Sequence, residues 1–235
     1  MNNLQHDGFC LVPDAVSSAD VERLLQEIES ATQQKSQNVH RRENVYAIRN
    51  VFDVVPFARE FAQSQTIRRL VEPYLGESCF PVRAILFDKV AGANWKVPWH
   101  QDLSIAVKER KDVEGFGPWS EKDGVLHVQP PTHLLEQMLT LRFHLDDCFE
   151  KNGPLRVLAT SHRNGKLDAN SIAQMRSSIA ETVCVLPKGG ALLMRPLLLH
   201  ASSSAVSPQH RRVLHLEWAA QLLPDGLLWH ECIES

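Results

Sequence analysis

Met138-Leu139-Thr140-Leu141-Arg142-Phe143-His144-Leu145-Asp146-Asp147 alternates apolar and polar residues along its length. Successive side chains of a strand point to opposite faces. Leu139, Leu141, Phe143 and Leu145 therefore share one face, and Thr140, Arg142, His144 and Asp146 share the other. Other short strand candidates lie around it, at 82–90 and 97–107 before it and at 155–159, 183–186, 191–194, 197–200 and 213–222 after it. Turn signals separate them: Asn152-Gly153, the run 161–165, Lys188-Gly189-Gly190 and the polar stretch 202–209. Many short strands punctuated by turns predict a β-sandwich or barrel.

Upstream the pattern changes. Phe9 to Pro13 reads as a short strand. Ser17 or Ser18 then caps a helix whose Val21, Leu24, Leu25 and Ile28 fall at amphipathic spacing. Residues 32–42 are polar and read as a loop, and 45–52 as a strand. Pro56 opens a further helical region that carries Ile67, Leu70, Val71 and Tyr74 and stops at Gly76. Residues 170–180 form a short helix. The expectation is one domain over 1–235, with a mostly helical part (1–80) packed on a β-rich core (81–222). Residues 108–133 are charged, then rich in Gly, Pro and Trp, with no clear period. Within this long irregular segment, Phe116 to His133 is the candidate lid or recognition loop, with Trp119, His127 and His133 as its candidate substrate contacts.

Composition narrows the function. The chain has 235 residues, 43% apolar and 23% charged, with a net charge of -3. That suffices for one sizeable core and offers no basic surface for nucleic acid or an anionic membrane. The five cysteines are scattered and lack CxxC spacing, so a reducing compartment is expected, with neither a disulfide frame nor a zinc site. No signal-peptide pattern opens the sequence and no apolar run is long enough to span a bilayer. A soluble cytoplasmic protein with a small-molecule substrate is the expectation; the sequence does not speak to its oligomeric state.

Three His-x-acid pairs are present: His100/Asp102, His144/Asp146 and His215/Glu217. On an extended strand such residues share a face and reach one small object together. The first pair is favoured as a metal site, because it follows Pro98-Trp99 and borders the irregular segment. The other two read as polar strand faces or pocket lining. A third ligand, His200, closes the apolar run Leu197-Leu198-Leu199 and would complete a 2-His-1-carboxylate set for Fe(II). Eleven residues on stands Arg211, next to Arg212, and a hairpin would return it to the level of His200. An arginine there suits a chelating dicarboxylate; the plainer reading is a solvated strand start. Trp95 and Trp99 flank the motif, as pocket walls or as core.

Taken together, GFCLVPDAVSSADVERLLQEI, ILFDKVAGANWKVPWHQDLSIAV, LRFHLDDCFEKNGPLRVLATSHRNGKL and LLLHASSSAVSPQHRRVLHLEWA resemble the phytanoyl-CoA dioxygenase family of Fe(II)/2-oxoglutarate-dependent oxygenases over nearly the whole chain. The resemblance implies a double-stranded β-helix, a cupin-like jelly-roll with flanking helices. It implies Fe(II), 2-oxoglutarate and O2 as the chemistry, with His100, Asp102 and His200 as iron ligands. Arg211 would bind the distal carboxylate of 2-oxoglutarate with Ser202 beside it, and Gln101, Arg142, Arg49 and Lys89 fall at positions that face the co-substrate. Where the family often has Pro-Gly-Ser-His, this chain has Ala159-Thr160-Ser161-His162. Asp102 disfavours halogenation, since halogenating relatives lack that carboxylate. Two other readings stay open at this point: a cupin-like metal enzyme that uses no 2-oxoglutarate, and an inactive jelly-roll binding module.

Overall fold

The computed structural model describes residues 3–33, 39–41, 45–90, 94–122, 124–206 and 210–233. In chain order the strands are β1 (Phe9–Val12), β2 (Val39–Arg41), β3 (Val45–Ile48), β4 (Phe80–Asp88), β5 (Val97–His100), β6 (Ile105–Val107), β7 (Trp119–Lys122) and β8 (Val125–Val128). They continue with β9 (Met138–His144), β10 (Leu155–Leu158), β11 (Glu181–Cys184), β12 (Ala191–Met194), β13 (His200–Ser202) and β14 (Arg212–Ala219). The helices are α1 (Leu4–Asp7), α2 (Ser18–Gln33), α3 (Val51–Val54), α4 (Pro56–Gln63), α5 (Gln65–Leu75), α6 (Thr132–Glu136) and α7 (Ala169–Ser178).

A seven-stranded sheet runs β1-β12-β9-β14-β4-β3-β2, and a four-stranded sheet runs β11-β10-β13-β5. The strand pairs are antiparallel. The two sheets enclose a shared interior and form the expected double-stranded β-helix. β9 alternates as its sequence dictates. Its Leu139, Leu141 and Phe143 join Leu214, Leu216 and Trp218 of β14 under the helices, meeting Leu24 and Ile28 of α2, Phe57 and Phe61 of α4, and Ile67 and Val71 of α5. Phe61 meets Phe143 edge-on, with centroids 5.2 Å apart. Such a pair adds about 0.5–1.5 kcal/mol beyond its area burial. The other face of β9 turns Thr140, Arg142 and His144 into the barrel.

Local chemistry sets the helix ends. The Ser17 hydroxyl accepts the Asp20 amide 3.1 Å away and starts α2. Pro56 occupies the first turn of α4. Gly76 ends α5 at φ 85°, a backbone that favours glycine.

Several expectations are corrected. The stretch 45–52 is not one strand: β3 ends at Ile48, Asn50 takes φ 53°, and α3 begins at Val51. The polar run 32–42 includes the end of α2 and β2, the rest lying outside the described residues. The N-terminal third also supplies β1, β2 and β3 to the large sheet, so the barrel does not begin at residue 81. The run 197–200 is mostly turn, and β13 begins at His200. Residues 108–133, read as irregular, contain the hairpin β7–β8, which joins β6 in a third sheet. Its polar face hid the alternation. No helix among the described residues is long and apolar enough to cross a membrane.

Candidate active site

β5 and β13 pair antiparallel, and the register sets His200 directly opposite His100. The two rings lie 4.2 Å apart. Asp102 lies beyond the end of β5, so the same-face strand argument does not place it. Its backbone amide donates to the Pro196 carbonyl at 2.9 Å, which turns the chain back toward His200. The Asp102 carboxylate then stands 3.6 Å from His100 Nε2 and 3.7 Å from His200 Nε2. One ligand atom from each of the three residues falls within 4.8 Å of the others, which makes the set a candidate metal centre.

The tautomers suit a metal. His100 Nδ1 lies 2.9 Å from the Pro98 carbonyl, and His200 Nδ1 lies 2.9 Å from the Leu198 carbonyl. A carbonyl only accepts, so each Nδ1 carries the hydrogen and each Nε2 presents its lone pair to the shared point. Burial pushes the His200 imidazole down to about 4, against the opposing pull of Asp102, and keeps it neutral as a ligand must be. Burial raises the Asp102 carboxyl, but His200, His215, His100 and Arg142 outweigh it and hold the group below the usual carboxylate range.

A cavity of about 360 Å³ opens in front of these ligands. At one end lie Lys89, Arg142 and Arg211, all lining the cavity and all buried. Lys89 Nζ donates to Ser202 Oγ at 3.0 Å and to the Ser203 carbonyl at 2.6 Å. Arg211 donates to the Gly153 carbonyl at 3.0 Å, while its buried Nε has no partner. Arg142 donates to His215 Nδ1 at 2.8 Å. None of the three forms an ion pair among the described residues. Burial, then Arg211 and Arg142, push Lys89 down to about 7, and burial with Arg211 pushes Arg142 down to about 10. Asp88 lies near Arg211 and Asp102 near Arg142, and the three neighbouring cations form a candidate anion site. The next residue of the pair faces the other way: Arg212 grips Asp146 through Nε at 2.8 Å and Nη2 at 2.6 Å. The solvated-terminus reading therefore fails for both arginines.

Other expected residues are redistributed. Gln101 is buried and borders the cavity, but its amide nitrogen donates to the Gly165 and Leu197 carbonyls, each at 2.8 Å, and its oxygen accepts the Leu167 amide at 2.8 Å. Its polar atoms are engaged in holding the chain. Arg49 lines the cavity just beyond β3, near Arg83 and Lys122 and away from the Lys89 end. Trp95 walls the cavity, with Lys89 Nζ 5.7 Å from its ring centre. Trp99 does not; Arg156 and Arg176 cover it. His144 points toward Arg211 and Arg142, and burial drives it down to about 3. Trp119, His127 and His133 do not line the cavity. His127 is fully buried with Nδ1 on the Val125 carbonyl, and His133 is exposed on α6. From that segment Lys122 reaches the cavity instead.

Arg83 lines the cavity and was missed, while His215 and Glu217, read as a polar strand face or pocket lining, line it too. Arg142 only donates, so His215 Nδ1 accepts and Nε2 carries the hydrogen toward Glu217 Oε1, 3.4 Å away. Strand parity was the available signal. Arg83 stands an even number of residues from Lys89, and Glu217 from Arg211, so each pair shares a face.

A model of the phytanoyl-CoA dioxygenase (PhyH) family matches residues 4–213. L-proline trans-4-hydroxylase of Streptomyces griseoviridis is 26% identical over 239 residues, covering 88% of this chain and 81% of that protein. The crystal structure of EctD from S. alaskensis with 2-oxoglutarate and 5-hydroxyectoine superposes with a TM-score of 0.72 at 17% identity, over 92% of this chain and 73% of that one. AviO1 from Streptomyces viridochromogenes Tue57 superposes with a TM-score of 0.67 at 19% identity, over 94% of this chain and 92% of that one.

Proposed function

The chain belongs to the phytanoyl-CoA dioxygenase family, and from that premise we propose that His100, Asp102 and His200 hold its Fe(II) while Lys89, Arg142, Arg211 and Ser202 hold 2-oxoglutarate. The protein is an Fe(II)- and 2-oxoglutarate-dependent oxygenase that hydroxylates a small molecule. The observation that carries the residue assignment is the juxtaposition of a two-histidine, one-carboxylate set with three buried cations that form no ion pair among the described residues. Bound there, Fe(II) supplies the redox chemistry by which 2-oxoglutarate and O2 become succinate and CO2 while a substrate C–H is hydroxylated.

The chain's own part is orientation and charge. The Pro98 and Leu198 carbonyls fix both imidazoles, and Gln101 braces the backbone between two ligands. Arg211 and Lys89 neutralise the distal carboxylate of the co-substrate. Arg142, tied to His215, carries positive charge from that end toward the metal set. We read residues 1–235 as one catalytic domain, because the N-terminal strands complete the same large sheet. None of the five cysteines forms a disulfide, which fits a reducing cytoplasmic setting. The net charge of -3 fits a small-molecule substrate better than nucleic acid or a membrane surface. L-proline hydroxylation by the Streptomyces griseoviridis relative supports a compact substrate.

Arg211→Ala tests the co-substrate half. Removing one member of a buried charge contact costs about 2–5 kcal/mol, or ~30- to ~5,000-fold in 2-oxoglutarate affinity. An Arg211→Ala protein with full 2-oxoglutarate turnover would remove the assignment.

A further inference from the structure

We infer that the end of the cavity remote from Lys89 and Arg211 is a carboxylate pocket for the substrate, anchored by Arg83 with Lys122 at its mouth. The inference rests on the oxygenase reading and adds the chemical class of the substrate.

Arg83 and Lys89 lie on one face of the β4 strand line, six residues or ~20 Å apart, too far for one small dianion to engage both. Arg83 is 7% exposed, its Nε is buried without a partner, and its guanidinium makes no hydrogen bond to any described residue. Its nearest counter-charge is Glu217 Oε1 at 3.6 Å, beyond hydrogen-bond distance and shared with His215. A buried Nε–H donor without a partner is costly unless a ligand fills it. Lys122 reaches the same cavity from β7 and forms no ion pair among the described residues. Burial, then Arg83 and Arg49, push its ammonium down, and Lys122 with Arg83 puts two positive charges at this end. Against them stands Glu217, while Asp102 faces the metal position. Among the described residues the surplus is positive, and the fork geometry of Arg83 matches a planar carboxylate. The cavity of about 360 Å³ is at the small end of the ~300–1,000 Å³ usual for ligand sites. It must hold 2-oxoglutarate as well, so the substrate is a compact carboxylic acid.

The test uses anaerobic protein loaded with Fe(II) and 2-oxoglutarate, with loading verified by titration before substrate probes are added. The probes are L-proline, butyrate and cyclohexanecarboxylate, each beside its primary amide, with binding read by calorimetry. At least one acid is expected to bind tenfold or more tighter than its amide. Arg83→Gln should reduce that gap below threefold, and Arg83→Lys should restore part of it. Lys122→Met, at an exposed position, should weaken acid binding severalfold and flatten its salt dependence. Each variant's 2-oxoglutarate titration confirms that it is folded. The inference is overturned if amides bind as well as acids, if no acid binds the loaded protein, or if Arg83→Gln keeps the preference. Failure of the parent protein to load Fe(II) and 2-oxoglutarate would overturn the oxygenase reading first, and this inference with it.

Discussion

Lys89 and Arg211 face each other as a backbone pair, each amide donating to the other's carbonyl at 3.4 and 3.2 Å, and both side chains are buried cations without an ion pair among the described residues. The folded pKa of Lys89, about 7, lies below its ordinary 10.5. Between those two values the unfolded chain holds a proton that the folded chain has lost. Raising the pH from 7 toward 10.5 therefore favours the folded apoprotein, by up to about 1.4 kcal/mol per pH unit from this group. Below pH 7 both states are protonated and the full cost of the buried ammonium is present.

Binding of the 2-oxoglutarate dianion reverses that shift. At pH 8 the bound co-substrate raises the Lys89 pKa, and the complex takes up part of a proton. Calorimetry in buffers of different ionisation enthalpy should show this as a buffer-dependent heat, absent in Lys89→Met. A heat that does not depend on buffer would take Lys89 out of the co-substrate site.

The two aspartates of the rival His-x-Asp pairs should behave oppositely. Among the described residues the Asp102 side chain makes no hydrogen bond, only the 3.6 and 3.7 Å contacts to His100 and His200. Asp102→Ala should fold with near-parent stability and fail to retain Fe(II) after anaerobic loading. Asp146 accepts the Arg212 amide and two guanidinium hydrogens between 2.6 and 2.8 Å. Asp146→Ala should lose about 1.5–3 kcal/mol of unfolding free energy in denaturant and still hold one Fe(II) per chain. The reverse pattern would hand the ligand role to the 144/146 pair.

That contrast also marks how far the sequence could be read. His100 and Asp102 are two residues apart, so their partnership is local and visible. The reason they meet is not local, because the carbonyl that turns Asp102 inward belongs to Pro196. Which strand face carries function was legible from β9, whose Arg142 and His144 both enter the barrel. The same parity on β4 would have exposed Arg83. Lys122 could not be found that way, since its hairpin acquires meaning only by packing across the cavity mouth. Thr160 stands at φ 66° where the family often has glycine, and the altered turn touches none of the proposed ligands.

Gln101 separates a structural role from a co-substrate role. It sits between two of the proposed ligands, and its amide ties 165–167 to Leu197, three residues before His200. Gln101→Ala leaves two carbonyls and one amide hydrogen without their partner, each worth about 1–3 kcal/mol if it stays dry. Relaxation and water reduce the sum, so a loss of at least ~1–3 kcal/mol is expected in denaturant. The 2-oxoglutarate affinity should stay close to that of the parent, because no free donor of Gln101 faces that ligand, while kcat falls as His100 and Asp102 loosen. A variant with parent stability and a tenfold weaker 2-oxoglutarate titration would show the opposite, that Gln101 serves the co-substrate directly.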